Sequence, residues 1–149
     1  MHLPLIGRRH PQSAPAGQAP APTDSMTPRE AIIESVRVRE QVALEALGAA
    51  TGGASLCSTP RAGTPVPAVK YHEGASSALA EARRAIRDVQ EGPGAVLEAR
   101  AVLREIRARW RAQRGTSGRT GPSWAGYLAG GLDALDQLVD DDEGRAHDA

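Results

Sequence analysis

Five consecutive residues, Lys70-Tyr71-His72-Glu73-Gly74, hold the densest group of reactive side chains in the sequence, among them its only lysine and one of its four histidines. They are expected where an irregular segment enters a helix. Backbone amides at a helix start face outward and favour anions, and a His or Glu there can hold a ligand or move a proton. Cys57 and Arg61 can fold back toward that junction, so Cys57, Arg61, Lys70, Tyr71, His72 and Glu73 form the candidate ligand site. The plainer reading is structural: Tyr71 packs under the loop, Glu73 complements the helix dipole and His72 is exposed. A catalytic thiol would need Cys57 beside a base such as His72, which their 15-residue separation permits without requiring. A lone cysteine next to Leu56 is more commonly a small buried hydrophobe. His2, His10, Cys57, His72 and His147 show no recurrent zinc-ligand spacing, so no metal and no cofactor are expected. The phosphate-binding P-loop, the dinucleotide-binding GxGxxG and the GxSxG nucleophile elbow are all missing from the sequence, and enzymatic chemistry lacks its usual marks.

A second group is defined by charge. Arg100, Arg104, Arg107, Arg109, Arg111, Arg114 and Arg119 fall in one segment against a single acid, Glu105. The carboxyl-terminal stretch reverses the sign, with Asp133, Asp136, Asp140, Asp141, Asp142, Glu143 and Asp148 against Arg145. Three partners can meet the arginines: nucleic-acid phosphates, an acidic protein, or this chain's own acidic end, within one molecule or between two. Nucleic acid is the less favoured of these. The Gly92-Pro93-Gly94 turn is poorly placed for a helix-turn-helix, and the arginine segment offers few Asn, Gln or Ser to read bases. Trp110 and Trp124 sit in apolar stripes beside a second break, where they can line a pocket or anchor an interface, although core packing is the commoner role. Arg100, Arg104, Arg107, Arg111, Arg114, Trp110 and Trp124 are therefore the candidate interaction residues. The leading expectation is a non-enzymatic helical protein-interaction or regulatory module, open to self-association, that docks through the arginines and the acidic end. The alternatives are a small-ligand or catalytic site at Lys70 to Glu73 and nucleic-acid binding through the arginines.

The elements that must position these residues follow from composition and period. A chain of 149 residues has room for one core, and with 3% aromatics and no Phe that core must be filled by Ala, Val, Leu and Ile. Lys70 as the only lysine among 18 basic residues, with many Ala and Gly, points to a GC-rich coding sequence, so arginine abundance by itself carries no function. The formal charge is zero, which leaves no overall field to hold nucleic acid or an anionic membrane. One cysteine excludes an intramolecular disulfide and fits a reducing, cytoplasmic setting. Secretion and membrane insertion are not expected: the start lacks the basic-then-apolar order of a signal peptide, and no apolar run nears the roughly 18 to 20 residues that span a bilayer.

Residues 1–26, rich in Pro, Ala and Gly, are predicted to be a disordered tail, with Met26 a potential second start. Thr27-Pro28-Arg29-Glu30 is a capping box that opens a first helix over 28–48, with Ile33, Val36, Glu40, Leu44 and Leu47 on its stripe and Ile32 and Ala43 widening it. Residues 49–70 are broken by Gly and Pro, with Ala54 to Ser58 and Val66 to Lys70 as extended pieces of a loose hairpin. A second helix begins within Tyr71 to Ala75 and buries Ala75, Ala78, Leu79, Ala82, Ile86 and Val89. A third, from Ala95 to Arg114, presents Val96, Ala99, Leu103, Ile106 and Trp110 as a seam. The fourth carries Trp124, Leu128, Leu132, Leu135 and Val139 with Tyr127 and Leu138. Its Gly126, Gly130 and Gly131 require either a closely packed backbone or a bend. Asp140 onward is acidic and expected to fray, so the helical domain is placed at 27–140 and an acidic tail at 141–149. The fold expected is all-α, a four-helix bundle.

Overall fold

The computed structural model describes residues 26–52, 66–116, 118 and 120–147, and among them every regular element is an α-helix: α1 (Pro28–Ala50), α2 (Val66–Arg87), α3 (Ala95–Thr116) and α4 (Pro122–His147). The tail before Met26, the piece Ala54 to Ser58, Cys57, Arg61 and Arg119 lie outside the described residues. None of the described helices is long and apolar enough to cross a membrane.

The capping box forms as its sequence dictates. The Glu30 amide donates to Thr27 Oγ1 at 3.2 Å and the Thr27 amide donates to Glu30 Oε2 at 2.7 Å. Pro28 occupies the first turn, where its missing N–H costs nothing. At the other end of the bundle's α2–α3 turn, Gly94 takes φ +98°, a left-handed conformation open to glycine, and its carbonyl accepts from the Glu98 amide to start α3.

Two expected boundaries move. Val66 to Lys70 is not an extended piece but the opening of α2, which starts at Val66 rather than within Tyr71 to Ala75. Pro67 was a reason to read a break, yet a proline in the first helical turn forfeits no intrahelical bond. The consequence is chemical: Lys70 to Glu73 lie in the second turn, away from the outward-facing amides of a helix start. At the carboxyl end, helical geometry continues past Asp140 to His147.

The core is a contiguous cluster from all four helices. The predicted faces of α2 and α4 and the α3 seam are the buried ones, with Leu79, Ile86, Leu103, Ile106, Leu132 and Leu135 almost fully enclosed. In α1 the buried line is Ile32, Val36 and Ala43, while Leu44 is 46% exposed. The buried line is therefore the Ile32, Val36 and Ala43 edge of the expected stripe, and Glu40, also placed on that stripe, meets Arg83 of α2. Their double contact measures 2.6 Å (Nε–Oε2) and 3.2 Å (Nη2–Oε1).

Neighbours in sequence run antiparallel, as Arg29 at the start of α1 reaching the end of α2 illustrates. The most extensive packing is instead between α2 and α4, which run parallel: Pro67 lies opposite Gly126 and Tyr71 opposite Gly130. Glycine makes this possible. A Cβ on Gly130 would stand 1.9 Å from the Tyr71 carbonyl oxygen, and one on Gly74 1.9 Å from the Tyr127 carbonyl oxygen. The two diagonal helices of the bundle thus meet backbone to backbone, with α1 and α3 displaced to either side. Of the alternatives open for the α4 glycines, close backbone approach holds at Gly126 and Gly130, and Gly131 makes room for the Trp110 ring.

Candidate functional site

Because α2 presses into α4, its second turn is exposed to two hollows, one on each side. Residues three apart on a helix share a face, so Lys70 and Glu73 turn one way and Tyr71 and His72 another. The sequence-derived cluster is divided accordingly.

On the first side, Lys70 and Glu73 line a cleft of about 610 Å³ together with Glu81 of α2, Trp110 and Gln113 of α3, and Trp124 and Tyr127 of α4. Thr120 and Ser123, at the entry to α4, complete its rim. The aromatic wall is a three-ring stack. Tyr127 lies between the two tryptophans, with ring centroids 5.4 Å from each and interplanar angles of 24° to Trp110 and 12° to Trp124. The stack depends on Gly131, since a Cβ there would enter the Trp110 ring at 2.0 Å.

The polar groups of the cleft are tied to one another. Glu81 accepts from Trp110 Nε1 at 2.8 Å through one oxygen and from Arg109 through the other. Lys70 Nζ donates to Glu73 Oε2 at 2.6 Å, with side chains 39% and 30% exposed. Among the described residues no group of three or more His, Cys, Asp and Glu could hold a metal.

On the opposite side, Tyr71 and His72 line a largely apolar groove of about 310 Å³ with Val38, Val42 and Leu79. Tyr71 packs edge-on to His72 at 5.4 Å and donates its hydroxyl to Asp133 Oδ2 at 2.9 Å. Burial raises the Tyr71 pKa above its ordinary value, and the hydrogen bond to Asp133 adds to the shift.

The arginine-rich α3 finds much of its counter-charge inside the molecule. Arg111 meets Asp136 at 2.6 Å, Arg107 approaches the same oxygen at 3.6 Å, and Arg109 lies 3.9 Å from Glu105 in addition to its Glu81 contact. Arg104, Arg111 and Arg114 are exposed, and Arg100 is half-buried. The acidic end of α4 reaches the other way as well, through Asp141 to Arg39 of α1. Of the candidate interaction residues, Trp110 and Trp124 thus belong to the cleft and the arginines to its far side and the α3–α4 seam.

Sequence reading missed Glu81 and Tyr127 as site residues. Tyr127 carried a signal, lying three residues after Trp124 on the same helical face. Glu81 shares the line Lys70, Glu73, Ser77 and Glu81, which becomes visible only when α2 is started at Val66. Compared with family models, with curated proteins and with solved structures, the chain matches none.

Proposed function

We propose that this protein is a non-enzymatic helical binding protein that takes a small ring-bearing molecule in the cleft between α2, α3 and α4. The observation that carries the reading is convergence: both tryptophans and Tyr127 meet Lys70 and Glu73 around one concavity, although they come from three helices. Its volume lies within the range of about 300 to 1,000 Å³ usual for small-molecule sites, and three aromatic rings line it together with six polar side chains that can fix a ligand's orientation. Binding is preferred to catalysis because each acid and base in the cleft is engaged by another. A cytoplasmic setting, argued from the single cysteine, is part of the same proposal.

The test uses the fact that the chain has two tryptophans and both line the cleft. Their indole N–H resonances should shift saturably when aromatic fragments are added at millimolar concentration, and Trp124→Ala should abolish the response with the fold retained. Unmoved indole resonances across a fragment set would end this reading.

The second reading is the interaction module. It is favoured by the four- and three-residue spacing that sets Arg100, Arg104, Arg107, Arg111 and Arg114 along one line of α3, opposite which α4 supplies Asp136. An acidic protein surface or a second copy is the partner, with nucleic acid behind them. Light scattering at low and high salt tests it: salt-sensitive association lost in an Arg104→Glu/Arg111→Glu variant supports docking, whereas a monomer at both salts that shifts no acidic protein or nucleic acid removes it.

A further inference from the structure

We infer that the Lys70–Glu73 ion pair is the polar reader of the cleft and that it selects a planar aromatic compound bearing an uncharged, amide-like edge, with a carbonyl acceptor beside an N–H donor. The inference rests on the binding reading above and specifies its ligand.

The shape argument comes from the wall. Tyr127 lies 24° from the ring of the buried Trp110 and 12° from that of Trp124, and this pre-formed stack lets a planar partner dock on it without reorganisation. The charge argument comes from which groups remain to be satisfied. Both oxygens of Glu81 are occupied, by Trp110 Nε1 and by Arg109, and the arginine neutralises it. What remains is the Lys70–Glu73 pair, in which Lys70 Nζ uses one donor position on Glu73 Oε2. The ammonium has further protons and the carboxylate a second oxygen, and neither has another partner among the described residues.

A donor and an acceptor side by side, with no net charge, discriminate against ions of either sign. An anion reaching Lys70 is repelled by Glu73, and a cation reaching Glu73 is repelled by Lys70. A carboxamide edge satisfies both at once, its oxygen accepting from Nζ and its N–H donating to the carboxylate, so each bond is charge-assisted. The hydroxyls of Thr120 and Ser123 and the Gln113 amide at the rim are uncharged and leave this preference intact. The pair is also held in place. It brackets Tyr71, whose carbonyl abuts Gly130, and it precedes Gly74, which abuts the Tyr127 carbonyl, so the reader sits where α2 and α4 are locked together.

The experiment compares four probes of one ring size on the full chain: benzamide, benzoate, benzamidine and toluene, with affinities taken from the indole N–H shifts of Trp110 and Trp124. Benzamide is expected to bind at least fivefold more tightly than each of the other three. In Lys70→Met and Glu73→Met that preference should collapse while toluene binding persists. Benzamide bound no better than toluene, or a preference unchanged in both variants, overturns the inference while leaving ring binding in the cleft standing. A preference for benzoate or benzamidine overturns it in the same way. If no probe binds, the binding reading fails together with it. The wild-type probe series decides the matter even if a variant misfolds.

Discussion

Arg29 joins two helices from the first turn of α1. Its side chain, 11% exposed, donates to the carbonyls of Ile86 at 3.3 Å and Arg87 at 2.8 Å and contacts Glu91, so it caps the end of α2. A planar fork can serve these acceptors together and an ammonium cannot. Arg29→Ala should therefore lower stability by about 1–3 kcal/mol in urea denaturation, and Arg29→Lys should recover only a small part of it. Beside it, Thr27→Ala should cost about 1 kcal/mol through loss of the cap. The hydrogen bonds from Thr27, backbone first, hold the Glu30 carboxyl below its usual range. A depressed carboxyl stabilises the fold above its unfolded pKa and loses that contribution as pH falls through the folded value. The acid limb of a melting-temperature profile should accordingly be shallower in Glu30→Gln, which has no carboxyl to titrate, than in the wild type.

The element that decides the architecture is the α2–α4 pair, and its glycines make it testable. Gly130→Ala sets a methyl 1.9 Å from a backbone carbonyl that cannot rotate away, so the helices must separate. The expected loss is about 1–3 kcal/mol or more. Gly48, in α1, is the control: nothing lies within 4 Å of a Cβ built there, so Gly48→Ala should be neutral or stabilise by about 0.5–1 kcal/mol through the unfolded state. Equal effects of the two substitutions in thermal melts would contradict the close approach. Because Gly130 sets how closely the α2 turn carrying Lys70 and Glu73 approaches α4, Gly130→Ala should also weaken probe binding in the cleft.

For the whole molecule, the collapse of one diagonal of the bundle is what opens a hollow on each side of α2. The outer helices are then tied on by ion pairs, α1 through Glu40–Arg83 and Arg39–Asp141 and α3 through Arg111–Asp136. The more exposed of these, Arg39–Asp141 and Arg111–Asp136, contribute roughly 0–1 kcal/mol each and are screened by salt, whereas Glu40–Arg83 is largely shielded from it, so 1 M NaCl should change the melting temperature little. The groove side has a pH response of its own. The neutral Tyr71 phenol is favoured by burial and by its bond to Asp133, so its contribution is complete below the ordinary tyrosine value of 10.0 and is lost as pH rises through the higher folded value. Alkaline melts should show this loss, and Tyr71→Phe should flatten it.

Much of this was legible in the residues. The capping box, the α3 seam and the apolar faces of α2 and α4 were fixed locally, because helix capping and a 3.6-residue period depend on near neighbours alone. Gly126 and Gly130 announced a close approach but could not name the partner, since a glycine records room and not what fills it. The start of α2 was hidden by Pro67, whose effect depends on whether it falls in the first turn. The partner of Glu40, Arg83, stands 43 residues away and has no local signal. The site was half visible: Lys70, Glu73, Trp110 and Trp124 were each marked by type, in two separate groups. Only tertiary packing joined those groups, because the parallel α2–α4 contact brings residues far apart in sequence to one wall and turns Tyr71 and His72 to the other.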